Sequence, residues 1–283
     1  MGETGLIAAR VVTYTAMLLA AGIPLYLTCT GQHGAPQRTA RRAAGIAACA
    51  GIAASLWWAL ESVATMTALP VSGLDRETIT AVLDATPLGN VLAIRAATLV
   101  AAIIALWRGR IVISALAAAV ALASQAWTGH AGASEAALGT LHRLGDVVHL
   151  LAAAVWLGAL FLFLSAALGG GDRKQLIRRL SGFATSGSVI VLLLLLTGVL
   201  NTLVIACWPP NWGSDWLLIL GVKLVLFLLM LALAASNRWR ITPVLERDPS
   251  ASLRPLQLSL ALETGAGLAI VAIVGWLGTL TPN

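Results

Sequence analysis

From Leu180 to Ser214 the chain carries no Asp, Glu, Lys or Arg. So long an uncharged apolar stretch folds in water only if protein surrounds it on every side. The rest of this 283-residue chain offers no polar shell to do so: 59% of residues are hydrophobic, 11% are charged and the mean hydropathy is +0.89. Soluble domains carry roughly 25% charge, and disordered chains are poorer still in apolar residues. The composition therefore excludes both classes and points to a lipid bilayer as solvent. A spanning helix takes about 20 apolar residues, whereas a barrel strand takes about 10 in alternation. The apolar runs here are long and unbroken, so the expected fold class is all-α, a polytopic transmembrane helical bundle.

Eight spans are expected, near 6–28, 43–66, 88–107, 111–130, 142–167, 184–206, 216–236 and 258–279, forming one membrane domain over 1–283. Turn residues punctuate the breaks: Gly31, Gly34 and Pro36, Pro70, Gly169 to Gly171, Pro209 and Pro210, Pro243 and Pro249. The first residues lack a basic region, so the first apolar segment is taken as a retained span. The three cysteines (Cys29, Cys49, Cys207) are far apart, which argues against a disulfide framework or a thiolate metal site.

The basic residues orient the bundle. Arg38, Arg41 and Arg42, then Arg108 and Arg110, then Arg173, Lys174, Arg178 and Arg179, then Arg238, Arg240, Arg247 and Arg254 all fall in alternate connections. The other connections hold only Arg76. Basic loops stay in the cytoplasm, so both termini are expected on the periplasmic side. This asymmetry also accounts for the sequence pI near 10.0 without a nucleic-acid partner.

Ionisable groups within a bilayer are costly and mark function by default. His142, Asp146 and His149 are spaced i, i+4, i+7, so they share one helix face, and Trp156 continues it. His130 lies across a short turn and can approach the same mouth. Imidazole and carboxylate suit copper(II), zinc or iron, and Asp146 can act as ligand or as the group that orients a histidine. The alternatives are interhelical hydrogen bonding and a proton relay. Glu61 and Met66 form a secondary candidate near the same side. Arg95 and Lys223 are expected either to pair with Glu61 or Asp146 or to snorkel. Glu263 is the secondary candidate toward the cytoplasmic side. His33, in a basic loop, reads as solvated.

These residues carry a resemblance. Trp127-Thr-Gly-His130-Ala131, the central His142-x3-Asp146-x2-His149 run continuing to Trp156-x-Gly158-x-Leu160, Thr197-Gly198, Gly221-x-Lys223-Leu, Asn237-Arg238 and Glu263 follow one another as in the copper resistance protein D (CopD) family, which the chain resembles over most of its length. The resemblance implies eight spans, the bacterial inner membrane, and copper moving from periplasm toward cytoplasm. It also implies a separate periplasmic CopC-like protein as copper donor. With four methionines and no Met-rich run, coordination by His and Asp is expected at the entrance.

The expected function is thus copper transport, with copper captured at His130, His142, Asp146 and His149 and passing inward toward Glu263. No phosphate-binding Gly-x4-Gly-Lys segment is present, and no enzymatic activity is expected. Two alternatives remain open: a haem-binding electron carrier using axial imidazoles, and a copper-binding sensor or structural partner that moves no metal.

Overall fold

The structure, a computed structural model, describes residues 2–31, 37–128, 136–170, 172–206, 213–248 and 250–281. The described residues contain helices and turns and no strand. Ten α-helices follow in order: α1 (Gly2–Cys29), α2 (Gln37–Thr67), α3 (Arg76–Ala85), α4 (Pro87–Trp107), α5 (Ile111–Ala123), α6 (Ala136–Leu168), α7 (Arg173–Ile205), α8 (Asp215–Ser236), α9 (Thr242–Arg247) and α10 (Arg254–Leu277). Seven helical segments are long and apolar enough to cross a membrane: Thr4–Cys29, Arg38–Thr67, Pro87–Trp107, Gly139–Leu168, Arg173–Ile205, Asp215–Arg247 and Arg254–Leu277. The fourth expected span, 111–130, is represented by a shorter piece among the described residues. α5 and the 3₁₀ turn Ser124–Trp127 form one apolar piece, Ile111–Trp127. At the rises of the two helix types it is about 28 Å long, close to the ~30 Å hydrocarbon thickness. The expected helical membrane bundle is what the chain forms.

The helices reach further than hydropathy placed them. α2 begins at Gln37 and α7 at Arg173, each absorbing basic residues assigned to loops. Asp172 caps α7 by accepting from the amides of Lys174 and Gln175. Basic side chains at this end also cap backbone carbonyls. Arg41 donates to Leu106 O at 2.5 Å, and Arg173 donates to Ala251 O at 2.6 Å and Asp248 O at 3.1 Å. These contacts tie successive basic connections into one basic end. At the opposite, terminal end, Arg10 of α1 donates to Gly278 O at the close of α10.

Two elements were not foreseen. The connection after α2 contains α3, an amphipathic helix capped by Asp75, whose carboxylate accepts from the Thr78 amide at 2.8 Å. Its Ile79, Val82 and Leu83 pack on Ala9, Trp58, Val63 and Leu88, covering the terminal end of α1, α2 and α4. Beyond α8, where the helix was expected to end, the chain continues through a π-helical turn, Asn237–Ile241, into α9. Pro243 is tolerated because it falls in the first turn of α9.

The core is built around α1 and α6. A Cβ on Gly22 would lie 1.9 Å from Ala154 O, and one on Gly158 would lie 2.3 Å from the Gly22 carbonyl carbon. The two backbones touch here, as small residues permit in membrane bundles. Toward the basic end, Tyr26, Phe163 and Phe183 of α1, α6 and α7 pack edge to face with centroids 5.5–5.6 Å apart. α7 meets the chain beyond α8 at the basic end, where Arg238 reaches Ala184 O and Ser188 Oγ and Ser181 donates to Glu246. Toward the terminal end α7 and α8 diverge, and the space between them is the cavity described next.

Candidate metal centre

A cavity of about 480 Å³ lies among α1, α6, α7, α8 and α10. Most of its wall is apolar, with Trp156, Leu157, Phe227, Met230 and Val271 toward the basic end. Its polar wall is formed by Asp146, His149, Asn201 and Lys223. Pockets of 300–1,000 Å³ with a few convergent polar groups are the usual form of a small-ligand site.

The α6–α7 seam builds the polar wall as two rungs. His149 Nδ1 lies 2.8 Å from Thr197 Oγ1. Thr197 commits its own hydroxyl hydrogen to Leu193 O at 2.5 Å, one turn back on α7. With that hydrogen on Leu193 O, the hydroxyl oxygen is placed to accept an imidazole N–H, an arrangement that favours the ring hydrogen on Nδ1 and an available Nε2 lone pair, the form that binds a metal. One turn along, Asn201 Nδ2 donates to Asp146 Oδ1 at 2.7 Å. Residues 197 and 201 are four apart and 146 and 149 three apart, so both rungs fall on facing helix stripes. Gly145 and Gly198 keep the seam close: a Cβ on Gly145 would meet Leu200 Cδ2 at 2.7 Å. Lys223 on α8 interacts electrostatically with both Asp146 and His149. It lines the same cavity as both of them.

The remaining expected site residues are distributed differently. His142 is 1% exposed and does not line the cavity, although it shares a helix face with Asp146 and His149. His130 lies outside the described residues, as do His33 and Cys207. Glu61 accepts from Trp57 Nε1 at 3.0 Å and packs over Gly5 of α1, while Met66 is largely exposed; neither lines the cavity. Glu263 is buried toward the basic end and accepts from Asn237 Nδ2. Among the described residues, no three His, Cys, Asp or Glu side chains converge as a metal-holding group.

Arg95 corrects an expectation. It pairs with neither Glu61 nor Asp146 in the described contacts. Its side chain, with no exposure at all, donates to Ser124 Oγ at 3.1 Å and Gln125 Oε1 at 2.9 Å and lies 5.0 Å from the Trp58 ring centroid. Gln125 in turn donates to Met17 Sδ. The cation is thus held by neutral dipoles and a π face, and it joins α4 to the 3₁₀ turn that ends the short span.

The sequence marked Thr197 through the family resemblance and Asn201 as a polar group in the same half of the bundle, but gave neither a partner, and it gave Gly22 no role.

Comparison with known proteins bears on this site. A family model described as copper resistance protein D-like, N-terminal domain, matches residues 1–140, and a model described as copper resistance protein D matches residues 177–277. The copper resistance protein D of Pseudomonas syringae pv. tomato is 36% identical over 217 residues, 70% of each chain. The chain belongs to the copper resistance protein D family. It is also 31% identical over 159 residues to the inner membrane protein YebZ of Escherichia coli (strain K12), covering 56% of this chain and 55% of that one. No solved structure matches. In this CopD-family chain α6 lies largely between the two matched regions. It packs on α1 from the first and on α7 and α10 from the second. The cavity accordingly draws its walls from both.

Proposed function

We propose that this CopD-family protein moves copper across the bacterial inner membrane, from the periplasmic face toward the cytoplasm, as a non-enzymatic permease. The observation that carries the reading is the polar wall of the cavity: an imidazole whose Nε2 lone pair is set free by Thr197, one turn from a carboxylate held by Asn201. Asp146 and His149 form the core of the capture site. His142, buried off the cavity wall, and His130, outside the described residues, are the further ligands the sequence points to. A cupric or cuprous ion is the cargo, and a separate CopC-like protein is the donor on the periplasmic side. The positive-inside pattern supports the orientation on which this reading rests, with the clustered Arg and Lys residues at the cytoplasmic end.

Lys223 gives the cavity its charge balance without cargo. A cation entering beside Asp146 meets a carboxylate already neutralised by an ammonium, so binding requires the Lys223 side chain to swing aside. That makes capture reversible, which transport demands and a storage site does not.

The test is copper accumulation in vesicles carrying the purified chain and a copper-responsive dye. Uptake should exceed that of empty vesicles and fall after His149→Ala and Asp146→Ala. Equal rates in all four preparations would remove the transport reading. A second reading, haem carriage, is favoured by one observation: the cavity is large, mostly apolar and presents one imidazole. A haem absorbance band in the purified protein, lost in His149→Ala, would establish it in place of copper.

A further inference from the structure

α8 and the π turn that follows it carry residues at seven-residue steps: Trp216, Lys223, Met230 and Asn237. The first three line the cavity, and each step advances about 10 Å along the helix. The fourth, Asn237, lies beyond the cavity floor in the π turn, where the Thr242 amide bonds back five residues to Asn237 O. π turns of this kind recur at functional sites, because the extra residue displaces a side chain and loosens the carbonyl ladder.

Asn237 there faces α10. Its Nδ2 donates to Glu263 Oε1. Ser259 precedes Glu263 by one turn on the same face. All three side chains are enclosed: Asn237 is 6% exposed, Ser259 5% and Glu263 2%. Asn237 Oδ1 has no hydrogen-bond partner among the described residues, and Ser259 Oγ makes no short hydrogen bond there although its hydroxyl acts on the Glu263 carboxyl group. No Lys or Arg among the described residues bonds the Glu263 carboxylate. The adjacent Arg238 turns away, to Ala184 O, Ser188 Oγ and the Trp239 ring. Buried acceptors without donors are costly, and an occupant shared with the Glu263 carboxyl group relieves them.

We propose that Asn237 Oδ1, Ser259 Oγ and the Glu263 carboxylate hold a small hard monovalent cation, sodium, at the basic-end side of the cavity. The donor set is all oxygen, which suits a hard ion and lacks the imidazole or thiolate that copper selects. A proton on Glu263 can engage one acceptor only. A protonated Glu263 together with one water would serve the same oxygens, and the pH arm of the experiment below separates that state from an ion. A sodium ion takes lone pairs from all three and cancels the charge. The site stands independently of the copper reading. Where both hold, Lys223 and Met230 line the way between them, and sodium is the ion whose gradient is available to the cargo.

The experiment uses the full chain in detergent micelles, with thermal unfolding followed by tryptophan fluorescence. Sodium chloride is titrated against choline chloride at constant ionic strength. The midpoint should rise saturably with sodium and not with choline. Ser259→Ala should raise the half-saturating sodium concentration at least tenfold, and Glu263→Gln should abolish the response. Should Glu263→Gln fail to fold, Ser259→Ala alone decides. Equal response to sodium and choline overturns the inference, as does wild-type half-saturation in Ser259→Ala. A midpoint that follows pH but not sodium overturns it in favour of a proton. Copper binding should be unchanged in Ser259→Ala; its loss with the sodium response intact would move the cluster onto the copper path.

Discussion

Replacing Thr197 by valine tests the copper site at its most specific point. Valine keeps the branched shape of threonine but removes the oxygen that receives the imidazole hydrogen at 2.8 Å. If His149 holds its tautomer, a buried N–H is left without an acceptor, at a cost of about 1–3 kcal/mol. The ring escapes that cost by moving its hydrogen to Nε2, the atom needed for copper. Either way the penalty falls on metal binding, and 1–3 kcal/mol corresponds to roughly 5- to 150-fold in affinity. Substitutions of groups that orient metal-bound histidines cost about 10- to 100-fold, so the two routes to the number agree. The assay is an equilibrium competition titration of the purified protein against a copper chelator, run with copper(I) and with copper(II). Thr197→Val should bind at least tenfold more weakly than wild type, and Thr197→Ser, which keeps the hydroxyl, should stay within about threefold. A Thr197→Val protein that binds as tightly as wild type, while His149→Ala does not bind, would refute the tautomer argument. If neither substitution matters, copper does not use this wall.

Asp146→Asn should weaken copper binding by at least tenfold in the same titration while leaving the unfolding midpoint near wild type, because its remaining oxygen still accepts from Asn201. Gly22→Val should lower stability by at least about 3 kcal/mol or prevent accumulation in the membrane, since backbone atoms of Ala154 cannot yield to the new Cβ. Gly45→Ala, where a Cβ meets nothing, should be neutral or stabilising by up to about 1 kcal/mol, and chemical denaturation in detergent compares the pair. Asp75, fully exposed, has its carboxyl held below the ordinary value of 3.8 chiefly by the Thr78 amide. A depressed folded value means the cap stabilises α3 fully above pH 3.8 and fades as pH falls through the folded value. Hydrogen exchange at the Thr78 amide should therefore show protection lost on that acid limb and absent at all pH values in Asp75→Ala.

Much of this architecture could be read from hydropathy because a bilayer imposes a length and forbids charge along it. The breaks at Pro70, Gly169 and Pro209 mattered less than the apolar runs between them. Asp146 and His149 were legible for a similar reason, since ionisable residues at helical spacing are rare in a span. Their partners were not. Thr197 and Asn201 are polar residues in the largely apolar run from Leu192 to Val204, and nothing in one helix tells which neighbour each faces. The same limit separated His142 from the cavity: a shared face on α6 spans an arc wide enough for its residues to enter different surroundings. The π turn escaped notice because its Asn-Arg-Trp-Arg-Ile sequence reads as the polar end of a span, and one extra residue leaves no periodic mark there. α3 was hidden by its length, ten residues inside what read as a loop.

The divergence of α7 from α8 has a practical consequence for anyone handling the protein. Leu195, Val199 and Leu203 on one flank and Leu224 on the other are largely uncovered, and all line the same opening as His149. Acyl chains of the surrounding lipid, or the tails of a surfactant, have a sideways route to the imidazole. Metal affinity measured in a short-chain surfactant that fills this gap should differ from that in a long-chain one, so the choice of solubilising agent belongs among the variables of every titration.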